Sequence, residues 1–128
     1  MQVSNETQRI LVVEDSGDVA LALSLWLRSN GYEVQVARDG HAALAAADEF
    51  KPQAVILDVG LPGISGLEVA RHLRTTCPTL TIIALTGRAE PEDVQACFDA
   101  GCNKYLIKPA NPQLLLTLLP PREPAPTQ

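Results

Sequence analysis

The sequence predicts an α/β domain, a doubly wound parallel sheet of five strands with five helices. Two observations carry this. Short apolar runs alternate strictly with segments of helical period, the pattern of a repeated βα unit. Four of the runs end in a side chain capable of chemistry, and open parallel sheets bind ligands outside the carboxyl ends of their strands.

The elements follow in order. Residues 9–14 form the first strand, and a helix spans about 17–30, with Val19, Leu23 and Leu27 on one face and Gly31 as its stop. Residues 33–37 are the second strand. Asp39-Gly40 reads as a turn before a short Ala-rich helix from Ala42 to Asp48. Residues 53–57 are the third strand. Ser65 and Glu68 have capping-box spacing, which starts the third helix and carries it to about residue 75. Residues 80–85 are the fourth strand. Pro91 among Glu90, Glu92 and Asp93 makes an acidic first turn for a helix that ends at Gly101. Residues 104–107 are the fifth strand, and Asn111-Pro112 opens a last helix that stops before Pro120-Pro121. The folded domain is therefore expected over 9–119, with a flexible N-terminus over 1–8. A disordered tail is expected over 120–128, where four of nine residues are proline.

Composition narrows the function. A length of 128 residues, 46% hydrophobic and 20% charged, suits one globular domain with a real core. A net charge of -5, with no run of Lys or Arg, argues against a nucleic-acid surface. MQVSNETQ has no apolar h-region, and no apolar run approaches the roughly 20 residues that span a bilayer, so a cytoplasmic protein is expected. Cys77, Cys97 and Cys102 have no metal-type spacing and read as free thiols. Cys97 and Cys102 are expected to pack as small apolar residues, Trp26 to lie in the core or rim of the first helix, and His41 and His72 to face solvent.

The strand ends deliver acid, acid, hydroxyl and amine. Glu14-Asp15 end the run Ile10 to Val13. Asp58 ends Ala54-Val55-Ile56-Leu57 before the turn Gly60-Leu61-Pro62-Gly63. Thr86 ends Leu80 to Leu85, and Lys108, followed by Pro109, ends Tyr105 to Ile107. Each has an ordinary explanation: a solvated acidic turn, a capping aspartate, a Thr-Gly turn, a surface lysine. Those explanations do not predict one member on each of four strands. Gathered at one edge, Glu14, Asp15 and Asp58 would repel one another unless neutralised. A hard divalent cation does this, and Mg²⁺ takes one or two carboxylates, keeps waters and bridges to phosphate. An ionised Asp58 is then a nucleophile for phosphorus, with Lys108 and the Thr86 hydroxyl to hold phosphoryl oxygens.

The segments ILVVEDS, AVILDVGLPGISGLEV, IIALTG and AGCNKYLIKP resemble the receiver domain of two-component response regulators, of the single-domain, chemotaxis-regulator type. The match runs over about residues 9–119. The resemblance implies a flavodoxin-like sheet of strand order 2-1-3-4-5. It makes Asp58 the phosphoacceptor and Glu14 and Asp15 the acidic pair that holds Mg²⁺, with Mn²⁺ as a substitute. Asp15, Asp58 and the backbone carbonyl of Gly60 would be direct ligands. Thr86 and Tyr105 would be the switch pair, Lys108 the phosphate-pairing lysine, and Lys108-Pro109 a cis peptide. The phosphodonor would be a histidine kinase or a histidine phosphotransfer protein. The domain would catalyse its own phosphorylation and slow dephosphorylation, with no dedicated enzyme activity.

Two departures from the family pattern stand out. Gly60 and Ser65 replace larger or acidic side chains. The short last helix holds Leu114, Leu115, Leu116, Leu118 and Leu119, which cannot all face one core; they form either a loosely patterned end or an apolar patch for a partner. The expected output is protein contact or phosphoryl relay, with no DNA-binding module, no nucleic acid and no membrane partner. A homodimer through the fourth helix, fifth strand and last helix is a further expectation. An alternative is a receiver excised from the end of a hybrid sensor kinase. A haloacid-dehalogenase-type phosphatase is a remote one, since it needs its nucleophile on the first strand and a second Asp where Gly60 stands. A flavodoxin-like electron carrier is disfavoured by carboxylates in Asp15-Ser16-Gly17-Asp18, where a phosphate loop would need hydroxyls.

Overall fold

The computed structural model describes residues 8–120; of the expected flexible start over 1–8 and tail over 120–128, all but residues 8 and 120 lie outside the described residues. Five strands, β1 (Arg9–Val13), β2 (Glu33–Ala37), β3 (Ala54–Asp58), β4 (Thr81–Thr86) and β5 (Lys104–Ile107), alternate with five helices. These are α1 (Gly17–Ser29), α2 (Gly40–Phe50), α3 (Gly66–Thr76), α4 (Pro91–Asp99) and α5 (Pro112–Leu118). The strands form one parallel sheet in the order β2-β1-β3-β4-β5, as expected. Side chains alternate between the two faces of a strand, so each buried strand feeds two cores. Ile10, Val12, Ile56, Ile83 and Leu85 pack with Leu23 and Leu27 of α1 and Leu115 of α5. Leu11, Val13, Val55, Leu57 and Ile82 pack with Ala43 and Ala47 of α2, Val69 and Leu73 of α3, and Cys97 of α4.

Several boundaries move, each for a physical reason. β3 and β4 run one residue further than the apolar runs do, because Asp58 pairs with Leu85 and Thr86 with Ile107 in the ladders. β1 stops at Val13, and Glu14 only continues its bonding through an N–H to the Ala37 carbonyl, 3.0 Å. Asp39-Gly40 is not a free turn. The Asp39 carboxylate accepts from Ala42 N at 2.8 Å as the N-cap, and α2 begins at Gly40. A Cβ on Gly40 would lie 3.0 Å from both Ile64 Cβ and Val69 Cγ2, so a small residue is what lets α2 pack there. The Ser65–Glu68 capping box is present, and Lys108-Pro109 is cis.

The apolar stripe of α1 is narrower than its periodicity suggests. Leu23 and Leu27 are buried, but Val19 is 44% exposed. Val19 lies in the first turn and lines an open groove beside Glu14, Asp15 and Lys108. The leucines of α5 and its C-cap divide: Leu115 and the capping Leu119 are buried, Leu116 and Leu118 are half-buried, and Leu114 is exposed. His41 and His72 face solvent, and Trp26 is a rim residue that donates from Nε1 to the Pro112 carbonyl at 3.2 Å.

The three thiols are free. Cys97 and Cys102 are buried, and burial, with Cys97 beside it, pushes the Cys102 thiol up to about 12. The thiolate is the reactive form. In the native protein an aromatic disulfide reagent should therefore titrate Cys77 promptly, while Cys97 and Cys102 should react only after a denaturant is added. Three fast thiols in buffer would contradict this packing.

Candidate functional site

The site is assembled by alternation at the carboxyl edge of the sheet. Val12 and Ile56 face α1 and α5, so Glu14 and Asp58, two residues on, continue that face. Ala84 faces the opposite core, so Thr86 rises on the α4 side. The Asp58 carboxylate is therefore flanked by groups from both faces of the sheet.

Asp58 is 1% exposed. Its Oδ1 lies 2.7 Å from Lys108 Nζ and accepts from Gly60 N at 2.8 Å. Glu14 is buried as well, and its Oε2 accepts from Ser16 N at 3.1 Å. Asp15 is exposed. One carboxylate oxygen from each of Glu14, Asp15 and Asp58 lies within 4.8 Å of the others. Burial raises the Glu14 carboxyl above its ordinary value; the Ser16 N–H opposes this, the Asp58 charge adds to it, and Lys108 opposes it. Two ionised carboxylates about 5 Å apart repel by on the order of 3 kcal/mol at an effective dielectric constant near 20. One lysine does not balance three acids. The donor set, all hard oxygens with one side open to solvent, fits Mg²⁺.

The remaining expected residues are placed as follows. The Thr86 hydroxyl is engaged with its own loop: it donates to the Arg88 carbonyl at 2.9 Å and accepts from Arg88 N at 3.1 Å. Tyr105 pairs with Ala84 in the ladder and so lies on the Thr86 face; its half-buried ring meets Phe98 edge-on at 6.0 Å. A cavity of about 190 Å³ is lined by Asp58, Gly60, Thr86, Arg88 and Lys108. A larger apolar groove of about 610 Å³ follows α1 and the β5–α5 segment; Val19, Trp26 and Pro112 line it together with Glu14, Asp15 and Lys108.

Sequence reasoning missed three contributors. Ser16 caps α1 through its side chain and holds Glu14 through its N–H, a signal available in its place before a helix. Gly66 lets α3 start against the acceptor: a Cβ there would come within 2.7 Å of Val59 Cα and collide with the Asp58 carbonyl. Arg38, on the neighbouring β2–α2 loop, donates to the Asp15 carbonyl. Nothing local in the sequence marks the last two.

The comparisons with known proteins bear on this geometry. The family model described as the response regulator receiver domain matches residues 10–120. The chain belongs to the response regulator receiver family. Response regulator MprA of Mycolicibacterium vanbaalenii is 46% identical over 101 residues, 79% of this chain and 44% of that protein. DNA-binding response regulator MtrA of Mycobacterium tuberculosis is 38% identical over 109 residues, 85% of this chain and 47% of that one. Among solved structures, chemotaxis protein CheY4 of Vibrio cholerae superposes with a TM-score of 0.83 at 33% identity, covering 88% of this chain and 95% of that one. Response regulator DrrB of Thermotoga maritima gives 0.80 at 35% identity, over 88% of this chain and 50% of that one.

The receiver family and its strand order are thus as the sequence motifs implied. The chain spans less than half the length of the curated relatives named here, and both are regulators, not sensor kinases. The phosphatase alternative fails on topology, since Asp58 ends β3 and not the first strand, and Gly60 stands where its second Asp belongs. Among the described residues no helix is long and apolar enough to cross a membrane.

Proposed function

We propose that this receiver takes a phosphoryl group onto Asp58 in a Mg²⁺-dependent reaction, from a histidine kinase or a histidine phosphotransfer protein in the cytoplasm. The observation that carries the reading is the pairing of a buried Asp58 with Lys108 Nζ at 2.7 Å, inside a cluster of three carboxylates. Asp58 is held at the strand end by the Gly60 N–H, so its carboxylate is oriented before a donor arrives. Attack by the carboxylate forms an O–P bond as the donor's P–N bond breaks, and the imidazole leaves with a proton. Lys108 is in place to offset charge on the phosphoryl oxygens. A divalent cation on Asp15, Asp58 and the Gly60 carbonyl, with Glu14 beside them, would supply the remaining neutralisation. Hydrolysis of the acyl phosphate reverses the switch, and Gly60 offers no side chain to shield it. Incubation with acetyl phosphate and Mg²⁺ should add the mass of one phosphoryl group; no gain with any phosphodonor would overturn the proposal.

The signal leaves through Thr86. Phosphorylation adds about -1.5 to -2 charges and strong acceptor oxygens at Asp58. The Thr86 hydroxyl then exchanges its Arg88 bonds for a phosphoryl oxygen, and the vacated space admits the Tyr105 ring. The surface so changed carries the exposed Phe98 of α4, Ile107 of β5 and Leu114 of α5. This is the face proposed for a partner or a homodimer; only Leu114 remains of the larger leucine patch. A relative described as a DNA-binding response regulator is matched over 47% of its length, so readout through residues of such a longer chain is a second candidate output. Thr86→Ala should still be phosphorylated. The shift in its association constant on adding beryllofluoride, followed by light scattering, should be at least about fivefold smaller than the parent's, the low end of a coupling of 1–3 kcal/mol. A parent-like response would exclude this route.

A further inference from the structure

The acid of the cluster with least support of its own is Asp15. Glu14 and Asp58 are buried and held by backbone N–H groups at 3.1 and 2.8 Å. Asp15 is exposed, follows the last residue bonded to β2 and precedes the N-cap of α1. Its main chain is fixed from outside. Arg38 donates to the Asp15 carbonyl from Nη2 at 2.5 Å and from Nε at 3.2 Å, a forked contact between residues 23 apart in sequence. Arg38 is itself constrained, because Ala37 ends β2 and Asp39 caps α2. The guanidinium lies across the β1–α1 loop, 3.4 Å from where a Cβ on Gly17 would be. Among the described residues Arg38 makes no ion pair with the Asp15 carboxylate, so it acts on the backbone.

We propose that Arg38 is a positioning residue for the divalent cation: its fork holds the Asp15 main chain so that the carboxylate is already turned toward Glu14 and Asp58. This rests on the metal-dependent reading above. An ammonium reaches one lone pair as a point charge, whereas a guanidinium presents two N–H groups in a rigid plane. Loss of the fork frees the β1–α1 loop and raises the ordering cost paid when the cation binds. Partners that orient a metal ligand are worth 10–100-fold in affinity, and for a contact through an exposed main chain the lower figure is expected. Arg38 is exposed, so its removal opens no cavity.

Calorimetric titration with Mg²⁺ alone tests this on the parent, Arg38→Ala and Arg38→Lys. The dissociation constant should rise about tenfold in Arg38→Ala and recover part of the way in Arg38→Lys. Phosphorylation by acetyl phosphate should show the same shift in half-saturating Mg²⁺. Its rate at saturating Mg²⁺ should stay at the parent value, because ground-state binding alone was lost. Parent-like Mg²⁺ affinity in Arg38→Ala overturns the assignment. A rate deficit that saturating Mg²⁺ does not restore also overturns it, since Arg38 would then act on the reaction. A parent protein that binds no Mg²⁺ overturns the functional reading together with the assignment, and that result is distinct from the other two.

Discussion

Asp58→Asn should gain no mass from acetyl phosphate and Mg²⁺ under conditions in which the parent gains one phosphoryl group. An amide oxygen is not a nucleophile for phosphorus, and among the described residues no other carboxylate is both buried and paired with a lysine. Glu14 is buried with an oxygen committed to Ser16 N, and Asp15 is exposed and makes no ion pair among the described residues. The substitution keeps the shape of the side chain. It removes one charge from a cluster of three acids within 4.8 Å and, against that relief, the ion pair with Lys108, whose half-exposed ammonium stays solvated; the two effects oppose, and the fold should be kept, as a thermal melt would check. The loss of labelling would then be chemical and not a loss of fold. Persistent labelling of a folded Asp58→Asn protein would place the acceptor elsewhere and sink the central assignment.

Asp15→Ala should weaken Mg²⁺ binding by more than about a hundredfold, since the proposed reading makes Asp15 a direct ligand, whose loss should exceed the 10–100-fold cost of losing a ligand's supporting partner. EDTA should stop phosphorylation of the parent in the same way. Asp15 suits the test because it is exposed, so truncation removes its carboxylate without opening the core. Glu14→Ala would be harder to read, since it also strips the bond to Ser16 N at the start of α1. Glu33, an exposed acid on the edge strand β2, is the control for simple loss of negative charge. Calorimetry on the two variants compares them directly. Equal effects from Asp15→Ala and Glu33→Ala would mean that the carboxylates share no site.

The order of elements, the parallel sheet and the gathering of Glu14, Asp15, Asp58 and Lys108 at one edge were legible in the sequence. They rest on local signals. Apolar runs such as Ala54 to Leu57 mark buried strands, Ser65 with Glu68 marks a helix start, and Gly60-Leu61-Pro62-Gly63 marks the loop where a strand-end aspartate can act. The strand order came with the family motifs and not from periodicity, which is silent about which strands are neighbours.

What only the tertiary structure decided depends on contacts between residues far apart in the chain. Ladder register carried β3 and β4 one residue past their apolar runs, to Asp58 and Thr86. Alternation then put Glu14 and Asp58 on one face of the sheet and Thr86 on the other. Burial separated two carboxylates that look alike in sequence, Glu14 inside and Asp15 outside, because Glu14 still follows the inward side of β1 while Asp15 turns out at the loop. The same cause sorted the five leucines of the last helix and left Val19 uncovered at the mouth of the α1 groove. The tie between Thr86 and the Arg88 backbone and the fork of Arg38 on Asp15 are equally beyond a sequence pattern. Periodicity says which way a side chain points along one element; which partner it meets there is fixed only when a second element, placed by its own core contacts, arrives beside it.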